Sequence, residues 1–108
     1  MKRTAPLQVL ADAAFADGQV VIHPNAGADL GLMTLEHEIR VFFNSPIQDF
    51  MEMKGYPIHG TLTLSNNCKA GIVELSQKRW TTMGRPRHVL LIYDNHKLLI
   101  YCKQAGCT

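Results

Sequence analysis

HVLLIYDNHKLLIYCK, residues 88–103, is the stretch on which the fold turns. Two runs of β-branched, leucine and aromatic residues flank DNHK, the pattern of a β-hairpin with Asn95 and His96 at its turn. A two-residue loop sets Asp94 opposite Lys97, Tyr93 opposite Leu98, Ile92 opposite Leu99, Leu91 opposite Ile100 and Leu90 opposite Tyr101. Side chains alternate between the two faces of a strand, so this hairpin is apolar on both. It therefore lies in a sheet covered on both sides, or it offers one face to another subunit or a ligand.

Working outward, GTLTLSNNCKAGIVELS (60–76) reads as a second hairpin, with Leu62 and Leu64 alternating against Thr61 and Thr63, then Val73 and Leu75 around Glu74. QVVIHP and HEIRVFF read as strands, and PNAGADLG between them as turn chemistry. SPIQDFMEMKG predicts a short helix over about residues 46–54. Ser45 serves as cap, Pro46 as first residue and Gln48 as partner in a capping box, with Ile47, Phe50 and Met51 on one face and Gly55 as stop. The first segment, TAPLQVLADAAFADG, reads as a helix over residues 5–16 on its alanine content, although Leu7, Val9, Ala11, Ala13 and Phe15 alternate as in a strand and Asp17-Gly18 suits a hairpin turn. No internal repeat stands out. The fold expected is α+β: a mainly antiparallel sheet of five to six short strands, able to curl toward a barrel, with one or two short helices. A parallel Rossmann-like sheet is not expected, because the strands after residue 57 leave no room for helical crossovers.

The chain has 108 residues, 46% hydrophobic and 19% charged, which suits one compact domain over 1–108 that folds without metal or disulfide staples. No apolar run approaches the roughly 20 residues that cross a bilayer, and Gln8 and Asp12 interrupt the N-terminal apolar region, so a cytosolic protein with no membrane partner is expected. Cys68, Cys102 and Cys107 are never spaced as CxxC and read as reduced thiols, with Cys107 near enough to the end to crosslink chains. Residues 1–54 hold seven acids and four bases, while residues 55–108 hold two acids and seven bases. The opposed charges suit packing of one half on the other, or a basic face that attracts anions.

Chemistry is sparse. Five histidines, at 23, 37, 59, 88 and 96, follow no metal-ligand spacing; neither a metal nor any other cofactor is expected. Cys68 has no accompanying nucleophile motif, and no phosphate loop occurs. The most basic stretch is QKRWTTMGRPRH (77–88). Its Lys78, Arg79, Trp80, Arg85 and Arg87 have the ingredients for an anion or single-stranded nucleic acid, cations for phosphates and an aromatic for a base. The plainer reading makes it a connecting loop with Trp80 as an apolar anchor and the cations solvated or paired with Glu36, Glu38, Asp49 or Glu52. An apolar surplus, with Phe42, Phe50, Met51, Tyr93 and Tyr101 as candidate interface or pocket residues, points to a homo-oligomer or a small-ligand cavity. The reading ranked first is a non-catalytic binding or interaction protein that self-associates through an apolar sheet or helix surface and holds a small ligand. Behind it stand anion or nucleic-acid binding through 78–88, and a small enzyme without a familiar motif.

Overall fold

Alternating apolar residues run through the strands of the computed structural model, which describes residues 1–102. In chain order the elements are β1 (Lys2–Arg3), β2 (Leu7–Asp12), β3 (Gln19–Ile22), α1 (Pro24–Asp29), β4 (Glu36–Phe43), α2 (Ile47–Met51), β5 (Ile58–Leu64), β6 (Ile72–Ser76), α3 (Gln77–Thr82), β7 (His88–Asp94) and β8 (Lys97–Tyr101). The strands pair in the order β1-β7-β2-β6-β3-β5-β4-β8, and β8 pairs back onto β7. Seven strands thus close into a barrel, while the short β1 continues along the edge of β7 that β2 also uses. Closure leaves the ring without a free edge.

The expectation of a mainly antiparallel sheet of five to six strands is corrected by this topology. The sheet is mixed, with parallel pairs β2–β6, β3–β5 and β4–β8 among antiparallel ones. The lack of room for crossovers concerned the strands after residue 57, and no two of those pair in parallel. A parallel crossover needs about a dozen or more residues, and the strands that do pair in parallel are distant in sequence, so whole strands and helices supply the connection. The second hairpin is corrected with it: β5 and β6 do not pair, because β3 lies between them, parallel to one and antiparallel to the other.

The hairpin forms over residues 88–101 with the register read from its turn, Asp94 opposite Lys97 through Leu90 opposite Tyr101. Asn95 and His96 both take positive φ, 47° and 65°, as a two-residue primed turn requires. Its two apolar faces have different destinations. Leu91, Leu98 and Ile100 point into the barrel, where Val20, Leu62 and Val73 meet them. Ile92 and Leu99 point outward and are sealed by Phe42 and by Phe50 of α2, whose ring meets Phe42 edge-on at 5.3 Å. The hairpin's second face is therefore satisfied within the chain.

Local readings are corrected elsewhere. Residues 7–12 are strand β2 and not part of a helix, because period-two alternation puts Leu7 and Val9 against the barrel core and this burial outweighs alanine's helix propensity. PNAGAD forms helix α1, capped by His23 Nδ1, which accepts from Asn25 N–H at 3.0 Å. Helix α2 is shorter than the expected 46–54, with Pro46 at its N-cap and no side-chain cap, so the Ser45–Gln48 capping box does not form. The first part of QKRWTTMGRPRH is helix α3, with Ser76 Oγ accepting from Arg79 N–H at 3.0 Å.

An internal repeat, unseen in the sequence, emerges from the pairing. Gly18-Gln-Val-Val-Ile-His leads into α1 as Gly71-Ile-Val-Glu-Leu-Ser leads into α3, and Gly31 and Gly84 follow the two helices at the same spacing, both with positive φ. Val20 pairs with Leu75 and Ile22 with Val73 on either side of Val21–Glu74, so a pseudo-twofold axis passes through that central pair. The same operation carries Leu62 beside Val20 onto Val9 beside Val73, and the bond from Thr61 N–H to Gly18 O onto that from Gln8 N–H to Gly71 O. Because β3 and β6 are antiparallel, α1 and α3 lie at opposite ends of the barrel. The repeat was illegible because a few apolar and glycine positions carry it, while the helices PNAGAD and QKRWTT share no residue.

Candidate functional site

The outward residues of β4 are Glu36, Glu38, Arg40 and Phe42, by alternation with buried Ile39 and Val41. Pairing on both sides of β4 aligns Asp94, Lys97, Arg40 and His59 in one row across β7, β8, β4 and β5. The next outward row sets Glu38 beside Thr61 and Thr61 beside Gln19. Two open hollows lie over these rows. One, of about 420 Å³, is lined by Glu38, Arg40, Met53, His59, His96 and Lys97 among others. The second, of about 360 Å³, is lined by Glu36, His59, Thr61, Thr63, Gln19 and the backbone at Gly18 and Gly60. Exposed His59 borders both, so together they form one groove on the barrel's outer wall, cationic around Arg40 and acidic toward Glu36.

Lys97 is the unusual member. It is only 9% exposed, donates to Phe50 O at 3.1 Å, sits 4.9 Å above the Phe50 ring and lies 3.9 Å from Asp94. A buried ammonium keeps its charge only where such partners replace water. It therefore ties α2 to β8 while forming one wall of the groove. The opposite wall is backbone: Gly18 and Gly60 approach so closely that a Cβ on Gly60 would fall 2.9 Å from Gly18 Cα.

The residues singled out in the sequence divide. Lys78 and Arg79 both reach Asp17 Oδ2, at 3.6 and 3.3 Å, so their partner is Asp17 and none of Glu36, Glu38, Asp49 or Glu52. The Arg79 guanidinium also lies 5.6 Å from the Phe43 ring centre, with Nε buried and without a hydrogen-bond partner. Trp80 is half-buried and donates to Pro86 O at 2.9 Å, and the Arg85 guanidinium stacks over its ring at 5.7 Å. Arg85 and Arg87 remain exposed. Of the apolar set, Phe42 and Phe50 are buried, Tyr101 packs beside them, and Tyr93 packs against the barrel core with its hydroxyl accepting from His96 N–H at 3.2 Å; Met51 alone is on the surface. The groove residues Arg40, His59, His96 and Lys97 were not among those candidates. Alternation placed Arg40 outward, but the parallel β4–β8 register that brings Lys97 beside it has no local signature.

Among the described residues no group of three or more histidine, cysteine, aspartate or glutamate side chains is placed to hold a metal. His37 Nε2 instead meets Thr34 at its hydroxyl and carbonyl, at 3.0 and 3.1 Å. Cys68 is a buried free thiol whose Sγ donates to Ile72 O at 3.3 Å, Cys102 N–H donates to Asn44 Oδ1 at 3.3 Å, and Cys107 lies outside the described residues. Burial, with Glu74 nearby, pushes the Cys68 thiol up from 9.0 to about 11, so it is no thiolate nucleophile near neutral pH. The folded chain holds this proton after the unfolded chain has lost it, so the contribution to stability is full below pH 9 and disappears between pH 9 and about 11. In denaturant titrations the wild type should lose about 2 kcal/mol more than Cys68→Ala across that window.

The fold and groove define the class: a small closed mixed β-barrel with a polar groove on its outer wall. Compared with protein-family models, curated proteins and solved structures, the chain matches none. No helix among the described residues is long and apolar enough to cross a membrane.

Proposed function

We propose that the protein is a non-catalytic binding protein whose groove takes a small polar molecule bearing a carboxylate or phosphate. The pair of Arg40 and His59 carries this reading, because it aligns exposed donors from two neighbouring strands beside a hollow, with buried Lys97 next in the row. Rigid strands position such groups better than loops do, and a guanidinium suits planar or tetrahedral oxyanions. Glu38 in the same hollow and Glu36 at the other end favour a ligand that also carries a donor or a positive charge.

Calorimetric or NMR titration with a panel of small carboxylates and phosphate esters is the test. A binder should shift the amides of residues 38–40, 59–61 and 96–97, and Arg40→Ala or His59→Ala should weaken it at least about tenfold, the scale of one charge-assisted hydrogen bond. A panel that leaves those amides unmoved overturns the reading.

A second observation favours self-association as a homo-oligomer. Ile47, Met51, Met53 and Tyr56, on α2 and the turn after it, are 42–100% exposed, forming an apolar surface in one short segment. The hairpin's outer face no longer argues for it, since α2 covers that face. Sedimentation should show dimer in the wild type and monomer in Met51→Lys; monomer in both removes this reading.

A further inference from the structure

The pseudo-twofold supplies an internal comparison for the basic segment. After α1, Gly31 is followed by Leu32, which is buried in the core. At the matching place after α3, Gly84 is followed by Arg85, which turns outward with φ +57°. Two bonds hold the turn, Gly84 N–H to Thr81 O at 3.0 Å and Arg85 N–H to Trp80 O at 2.9 Å. Left-handed backbone favours glycine, so an arginine here is a local cost. It positions the guanidinium over the Trp80 ring, whose N–H is already engaged by Pro86 O.

Beyond this stack the chain presents exposed Arg87 and His88, with the backbone pinned to β2 by the bond from Val9 N–H to Arg87 O at 2.8 Å. Among the described residues Lys78 and Arg79 share the single carboxylate of Asp17, whereas neither Arg85 nor Arg87 has a carboxylate partner. The segment thus separates into a pair of structural cations and a pair left for something outside the chain.

We propose that Arg85, Arg87 and His88, backed by Trp80, bind single-stranded nucleic acid. One base lies flat on the Arg85 guanidinium, extending the indole–guanidinium stack, and adjacent phosphates meet Arg87 and His88. Planar guanidinium and aromatic surfaces accept any base, and arginines neutralise phosphates, so the binding is expected to tolerate sequence. The site is independent of the groove.

The chain holds one tryptophan, and it is in the site. Titrating the full chain with octamers of deoxythymidine and deoxyadenosine, read by Trp80 fluorescence and by anisotropy of a labelled octamer, should give saturable binding. The affinity should fall with salt at a log–log slope of about −0.7, the value for the one phosphate that Arg87 neutralises. Arg87→Gln should weaken binding at least about fivefold. Arg85→Gly should weaken it at least about tenfold while its Tm is not lowered, since glycine relieves the left-handed turn, and Lys54→Gln should bind as wild type. The proposal is overturned by no binding at low salt, by equal affinity for polyglutamate, by undiminished binding in Arg85→Gly, or by a mononucleotide that binds as tightly as the octamer, which would assign the site to free nucleotides.

Discussion

Gly60→Ala should lower the melting temperature by roughly 15 °C or prevent folding. Gly60 faces the barrel interior opposite Ile39, and the space a side chain would take is filled by the backbone of Gly18. An added Cβ would overlap Gly18 O and lie 2.8 Å from Gly18 C. Neither atom belongs to a side chain that can rotate away, and Gly18 O is also the acceptor for Thr61 N–H at 3.0 Å. Relief requires moving the β2–β3 connection off β5, at a cost of about 3 kcal/mol or more. At about 4–8 °C per kcal/mol for a domain near this size, that is the drop stated. Gly55→Ala is the control: nothing lies within 4 Å of its Cβ position, so only the strain at φ +94° remains, about 1 kcal/mol. Equal melting temperatures for the two variants would refute the close approach.

Phe50→Ala is expected to cost about 3–5 kcal/mol, the usual price of removing a fully buried phenylalanine. Phe50 is the buried residue of α2, a helix of five residues too short to persist without tertiary contacts. Its ring covers Phe42, Ile92 and Leu99, its carbonyl accepts from Lys97, and its face supports the Lys97 ammonium. Removing the ring therefore exposes the outer face of the hairpin and loosens a charge that is otherwise buried. Amide exchange should quicken across residues 46–54 and in β8, whereas β3 and β6, on the pseudo-axis, keep their protection. Phe50→Leu, which retains apolar volume, should recover more than half of the loss. A Phe50→Ala protein as stable as wild type, with unaltered exchange in β8, would show that α2 does not seal the sheet.

Both expectations rest on features of different legibility. The hairpin of 88–101 was readable to the residue, because a two-residue turn fixes register through local geometry alone. The need to cover both its faces was also readable, and Phe50 lay in the helix predicted near residues 46–54. The proximity of Gly18 and Gly60 was not, since nothing in Asp17-Gly18 or His59-Gly60 indicates that two connections meet in space. Similarly, Arg85 and Arg87 were visible as cations, but their separation from Lys78 and Arg79 depends on Asp17, which β2 and β3 bring across from the other half of the repeat.

What the sequence determined by itself was local: which segments alternate, where the 94–97 turn falls, and which side chains of β4 face outward. Those follow from backbone stereochemistry and the period of two, which act over a few residues. The insertion of β3 between β5 and β6, the parallel pairing of β4 with β8, the closure of the ring and the groove over Arg40, His59 and Lys97 were decided only by tertiary structure. Strand partners are chosen by burial of the whole apolar set at once, and many pairings share the same local pattern.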